Sequence, residues 1–197
     1  MMRCLMVAAI VSLVFAGAAS ASVKQGDTEL EFMGGFITED ASGDTGLETD
    51  SWFASGGLGY FLNDNLQVSA SAFGYWVEMD LVAPGERDEW DVDIVGVGGK
   101  ARWHFMPANQ LVPYVGAQLF YADADVENTF REVGELPDRT SFNPDGILWG
   151  PIAGLRFELN DNNDFFAEYQ YHIWDGDIGS LLEDGHTILI GIVHQFK

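Results

Sequence analysis

Apolar side chains recur at every second residue in eight separate stretches of this chain: 28–37, 52–62, 66–77, 92–105, 111–122, 147–159, 165–174 and 187–196. Period-2 alternation sends successive side chains to opposite faces of an extended strand. Each stretch runs to about ten residues, the length a tilted strand needs to cross a hydrocarbon layer. Helical periodicity is missing throughout. The last stretch lies in HTILIGIVHQFK, which closes the chain with Ile188, Ile190, Ile192, His194 and Phe196 on one face.

The third stretch likewise gathers Leu66, Val68, Ala70, Ala72, Gly74 and Trp76, and the fourth Val95, Val97, Gly99, Ala101, Trp103 and Phe105. The seventh gives Phe165, Ala167, Tyr169, Tyr171 and Ile173. The opposite faces carry Glu29, Glu31, Gln67, Ser69, Ser71, Lys100, Arg102, His104, Gln118, Arg156, Glu158, Glu168, Gln170 and His172. Charges of both signs in mid-strand imply that these faces look at one another. An antiparallel sandwich also alternates, but turns its apolar side inward.

The connections separate the two arrangements. Residues 63–65, 106–110 and 160–164 are tight polar turns, whereas 38–51, 78–91, 123–146 and 175–186 are long. Short-long alternation between ten-residue strands is the pattern of transmembrane barrels, with short periplasmic turns and long outer loops. A sandwich has no reason for it. Aromatic residues agree: Tyr60, Trp103 and Phe105 adjoin the short turns, and Trp52, Trp76, Trp149 and Trp174 the long connections, as two interfacial belts would require. Closing strand eight on strand one leaves no unpaired edge, which a bilayer does not tolerate.

The stretches YFLNDNLQVSASAFGYW, PYVGAQLFY and FFAEYQYHIW carry a resemblance to the small eight-stranded outer-membrane β-barrel family, which includes the OmpA barrel domain, OmpX and OmpW and is grouped with the porin family. It covers essentially residues 27 to 197 and rests on pattern, so it specifies architecture more than activity. It implies an all-β, eight-stranded antiparallel up-and-down transmembrane barrel in the outer membrane of a Gram-negative bacterium, both termini periplasmic. The final strand also resembles the C-terminal signal by which the barrel-assembly machinery recognises such proteins. Gly191 and Phe196 fit that signal, while His194 stands where an aromatic or aliphatic residue is usual and Lys197 follows the phenylalanine.

Residues 1–21 read as a secretory signal peptide: Arg3, an apolar run, and Ala19-Ser20-Ala21 as the cleavage site. The run is too short for a spanning helix. Cys4, the only cysteine, precedes it, where no lipoprotein anchor would form, so the mature domain 22–197 holds no disulfide. Between Trp103 and Ala122 there is no Asp, Glu, Lys or Arg, yet Pro107 and Pro113 exclude one apolar helix there.

The whole chain has 31 acidic and 9 basic residues. Binding to nucleic acid needs phosphate neutralisation by cations, so that class is excluded. The four long connections hold 22 acids against Arg87, Arg131 and Arg139. They read as a solvated surface, with divalent cations bridging to lipopolysaccharide as the sharper alternative. DGDIGSLLEDGH fails as a calcium loop, because Gly179 takes the third ligand position and His186 the closing acid's.

The inward set is a candidate lumen charge network: Glu29, Glu31, Glu158 and Glu168 against Lys100, Arg102 and Arg156, with His172 beside them. A buried charge must be paired, so the network reads as a salt-bridged plug, or alternatively as a narrow polar gate. No catalytic, metal or cofactor residues are expected: there is no HExxH and no His-x-Ser pair, and His104, His172 and His194 lie on different strands. The expected role is structural or surface-interacting, with acidic outer loops. A narrow cation-preferring channel for small solutes is the alternative, and a lipid-modifying enzyme the third. Outer-membrane lipid and lipopolysaccharide are the expected surroundings, and a monomer the expected state.

Overall fold

The computed structural model describes residues 24–40, 47–83, 86–132, 138–180, 182 and 184–196. Its strands are β1 (Thr28–Asp40), β2 (Leu47–Phe61), β3 (Leu66–Ala83), β4 (Glu86–His104), β5 (Leu111–Glu132), β6 (Asp138–Phe142), β7 (Asp145–Asn160), β8 (Asn163–Gly176) and β9 (Gly185–Phe196). Every pairing is antiparallel, and the sheet closes on itself. β1 pairs β9 from Thr28↔Phe196 to Gly34↔Ile190, while β4 pairs β5 and β5 pairs β7. Eight strands make the barrel. β6 is a ninth, short strand folded back on the far end of β5, from Val126↔Phe142 to Phe130↔Asp138. Among the described residues no helix is long and apolar enough to cross a membrane. Residues 1–21, expected as a leader, and the loop acids Asp44, Glu135 and Glu183 lie outside the described residues.

The short turns have polar staples. Asn63 Oδ1 accepts from the backbone N–H groups of Asn65 and Leu66 at 2.9 Å, and Asn160 Oδ1 accepts from those of Asn162 and Asn163 at 3.1 and 3.0 Å. Local side-chain acceptors of this kind let a strand reverse within a few residues.

The long connections differ from the sequence expectation. Most of 78–91 and 123–132 is strand: β3 and β4 stay in register from Leu66↔Trp103 to Ala83↔Glu86, and β4 and β5 from His104↔Tyr114 to Glu86↔Glu132. The reason is visible in WDVDIVGV. At Val95 and Val97 the apolar residues face outward, 59% and 63% exposed. At Val92 and Ile94 they face inward and are buried, and Asp91 and Asp93 take the outward positions. The alternation continues, but its polarity inverts where the outer surroundings change from lipid to water. β5 does the same: Leu119 and Tyr121 point out, then Asp123, Asp125 and Glu127, with Ala122, Ala124 and Val126 buried behind them. Val95 lies directly opposite Asp123, so both strands invert at one level. From Val95 to Trp103 the outward apolar row rises roughly 21 Å along the axis, at ~3.4 Å per residue and ~40° tilt, close to the ~25 Å apolar band of such barrels.

Phe36 and Trp52 pack at 4.1 Å between ring centroids, and Trp52, Trp76 and Trp149 are exposed at the inversion level. Trp174, assigned above to this belt, turns inward. It sits on the same face of β8 as Phe166, Glu168 and Gln170, and packs against the interior cluster of Ile94, Leu148 and Ile178.

Candidate functional site in the barrel interior

The half of the interior nearest the short turns is filled by charge. Arg156, on β7, donates to Glu29 through both terminal nitrogens, at 2.5 and 3.0 Å, and through Nε to Asp164. A second group centres on Glu168. Lys100 Nζ donates to its Oε1 at 2.9 Å, and Gln170 Nε2 to the same oxygen at 2.6 Å. Glu168 Oε2 accepts from Arg102 Nε at 2.8 Å and from the Tyr114 hydroxyl at 3.0 Å. Arg102 NH1 then reaches Glu31 at 2.5 Å. Gln67 joins the two groups, donating to Glu29 at 2.6 Å and accepting from Arg102 at 3.3 Å. Rings complete the packing: Arg102 lies over Tyr114 and Phe166 at 5.5 and 5.9 Å, and Arg156 over Phe61 at 5.9 Å. Every one of these charged groups is at most 5% exposed.

Glycine at two inward positions makes the arrangement fit. A Cβ at Gly154 would lie 2.4 Å from the Tyr114 ring and hydroxyl, so glycine there admits the tyrosine that reaches Glu168. A Cβ at Gly96 would lie 2.3 Å from Phe73, whose ring floors the other half of the interior.

Four acids face three bases in this network, against the ~20 kcal/mol scale of desolvating an isolated ion. The void among Glu29, Glu31, Gln67, Arg102, His104, Tyr114 and Arg156 measures about 10 Å³. That is room for about one water.

The sequence-derived set is distributed as follows. Glu29, Glu31, Lys100, Arg102, Arg156 and Glu168 are brought together. His172 joins only through Gln170, its Nε2 lying 3.0 Å from Gln170 Oε1. Glu158 does not hold the buried position expected of it. The β7–β8 register shifts between Glu158 and Asn160, Glu158 is left half-buried opposite Asp164, and Asp164 supplies the buried carboxylate on Arg156. Asp164 had been read as a turn residue. Counting back by twos from Glu168 and Phe166 would have placed it inside. The same parity from Gln118 would have placed Tyr114.

Above Phe73 the interior changes character. Phe53 stacks on Phe73 at 5.6 Å, and Phe73 meets Phe120 edge-on at 5.2 Å. Beyond this floor Val77, Val92, Ile94, Ala122, Ala124, Val126, Leu148 and Ile178 form an apolar cluster. The expectation of a polar inner face along almost every strand therefore holds for the short-turn half, while the other half is largely apolar.

The sequence profile described as outer membrane protein beta-barrel domain matches residues 7–196. The chain belongs to this family. It is a protein of the bacterial outer membrane, and its outward apolar band faces the lipid and lipopolysaccharide environment of that membrane. No curated protein matches the sequence. Solved structures do. Neisserial surface protein A is 17% identical with a TM-score of 0.57, covering 87% of this chain and 98% of its own. OprG of Pseudomonas aeruginosa is 15% identical at 0.56, covering 89% and 98%. Ail, the attachment invasion locus protein of Yersinia pestis, is 14% identical at 0.50, covering 87% and 99%. At these identities the likeness is one of fold. The family barrel accounts for the closed sheet and the apolar outer band. The charged plug and the apolar upper half are details of this chain's own side chains.

Proposed function

We propose that this protein is a closed, non-enzymatic barrel that anchors an acidic β-ribbon rim at the cell surface. The observation that carries this reading is the inversion at Val95 and Asp123. Above it the strands continue out of the membrane with Asp91, Asp93, Asp123, Asp125 and Glu127 facing outward. The long connections then lie outside the cell and the short turns and both termini in the periplasm.

The rim is held under electrostatic tension. Asp93 stands opposite Asp125, Asp91 opposite Glu127, and Glu78 opposite Asp91. Partial burial first, and then the carboxylates of Glu78, Glu127, Glu89 and Asp93, push the Asp91 carboxyl above its ordinary range. Near the ribbon tip Arg87 offsets part of this, 3.2 Å from Asp80 and 2.9 Å from Glu89, and Arg131 lies 3.3 Å from Glu89. Among the described residues no group of three or more His, Cys, Asp or Glu side chains converges as one ion would require. Divalent cations would therefore act diffusely, screening the rim and bridging it to lipopolysaccharide phosphates. The terminal strand, ending in outward Phe196, is the segment the assembly machinery would read. The second reading, a cation-preferring pore, has the acidic rim in its favour and the filled short-turn half against it.

The test uses cysteine labelling, since Cys4 is the only native cysteine. An impermeant maleimide should label Asp125→Cys on intact cells. It should reach Asp64→Cys, in the exposed β2–β3 turn, only after the outer membrane is permeabilised. Labelling of Asp64→Cys alone on intact cells would reverse the orientation and remove the surface role.

A further inference from the structure

We propose that the extracellular half of the barrel interior is a blind binding chamber for a small, uncharged, largely apolar molecule. An eight-stranded barrel is about narrow enough for side chains to fill it. The short-turn half obeys, with about 10 Å³ left over. The other half does not: a cavity of about 400 Å³ opens between β3, β4, β5 and the β8–β9 connection, lined by Met79, Trp90, Ile94, Ala124, Val126 and Leu182. This is within the ~300–1,000 Å³ range of small-molecule sites. Its β5 wall carries the small Ala124 directly opposite Ile94 of β4. An apolar hole forfeits packing contacts and holds water poorly. A molecule that restores those contacts binds it.

The chamber has a floor, a roof and a mouth. Phe73 and Phe120 belong to the apolar cluster around it and Phe53 packs on them, with the Lys100–Glu168 pair in the filled half below. This makes it a receptacle and not a passage. The roof is the short 3-10 turn Ile178–Ser180, with Ile178 1% exposed and Leu182 N–H bonded to the Ile178 carbonyl at 3.0 Å. Leu81, 39% exposed, and the exposed Ser180 mark the mouth. Leu182 also lines a neighbouring cavity of about 230 Å³ that carries hydrogen-bonding groups: Ser51, Tyr75, His172 and His186. Leu182 is thus the partition between an apolar compartment and a polar one, and a ligand with one hydroxyl or carbonyl fits across it.

Charge selects the ligand class. Among the described residues the one acidic or basic group lining the large cavity is Asp88, already accepting from Asn128 at 2.7 Å. The rim outside is acidic as well. An anionic amphiphile meets repulsion at the mouth and no cation inside, whereas an uncharged apolar molecule meets neither penalty.

The experiment is methyl NMR of the protein in lipid nanodiscs, titrated with naphthalene, and in parallel with naphthalene-1-sulfonate. Naphthalene should give saturable shifts at the Met79, Ile94 and Ile178 methyls. The lipid-facing Ile188 and Ile190 methyls should drift only linearly, as the bilayer takes up probe. The sulfonate should leave the inner methyls unmoved. Ala124→Phe and Met79→Trp, each filling the cavity, should weaken the saturable response at least ten-fold while leaving the Ile188 and Ile190 positions native. The proposal is overturned by wild-type shifts confined to the lipid-facing methyls, by equal binding of the sulfonate, or by undiminished binding in a folded filled variant. The wild-type pattern decides the matter even if a filled variant does not fold.

Discussion

Replacing Arg156 with alanine is the sharpest perturbation of the plug. The guanidinium is 3% exposed and spends all three nitrogens on two carboxylates, Glu29 and Asp164. Removing it leaves Gln67 on Glu29 at 2.6 Å and Gln195 on Asp164 at 3.1 Å as neutral donors. Breaking a buried ion pair from one side costs ~3–5 kcal/mol, because the partner's charge stays behind uncompensated. With two carboxylates stranded, the upper part of that range applies, softened by the two glutamine donors: about 4–5 kcal/mol. That is a large share of the ~5–15 kcal/mol by which folded domains exceed unfolded ones. The assay is urea unfolding in phospholipid vesicles, followed by tryptophan fluorescence. A second variant isolates the cause. Arg156→Met together with Glu29→Gln and Asp164→Asn removes the whole charge group, and such replacements are often neutral. It should recover most of the loss. An unchanged midpoint in Arg156→Ala, or a triple variant no more stable than the single one, would refute the reasoning.

Three further outcomes follow from other parts of the molecule. Ile190→Arg places a cation on the lipid face of β9, where the native side chain is 57% exposed; it should cost ~2–4 kcal/mol in the same assay, whereas Asp125→Arg, above the inversion, should cost nothing or stabilise. Asp91→Asn removes one member of the like-charge ladder. Because the Asp91 carboxyl is raised in the folded state, its contribution to stability is present at acid pH, below the unfolded value, and is lost as pH rises through the folded one. The variant should therefore be more stable than wild type at pH 7, by ~0.2–1 kcal/mol for a cross-strand pair, and indistinguishable at pH 3. Added salt should shrink the pH 7 difference, as screening requires. Phe196→Ala should lower the yield of inserted barrel in cells more than it lowers the stability of refolded protein, as read by comparing cell-envelope yield with the vesicle midpoint.

Much of this architecture was legible in the residue order. Alternation and unequal connection lengths together specify eight strands and the sharing of faces, because both are local properties of an extended chain. What alternation does not specify is which medium each face meets. In WDVDIVGV the apolar positions change parity between Ile94 and Val95, and that change marks the water–lipid boundary. Read as loop composition, Asp91, Asp123 and Asp125 hid a ribbon that continues the barrel. Trp174 was misplaced by the same step, since nearness to a loop says nothing about inward or outward aim. Asp164 was lost to a different cause. It was read as part of the 160–164 turn, although the parity of Glu168 and Phe166 places it on the inner face. The cavity beside Ala124 depends on how β3, β4, β5 and the Ile178–Ser180 turn pack together, so it becomes visible only in three dimensions.

The closed interior is the claim on which the rest depends, and planar-bilayer recording tests it most directly. Protein verified as folded and inserted should give no steady current, because the ion pairs around Arg102, Arg156 and Glu168 leave about 10 Å³ between them. Arg102→Ala should introduce brief openings by removing the group that ties Glu31 to Glu168. Stable, reproducible conductance steps from the wild-type protein would contradict the account and make the charged half of the barrel a pathway.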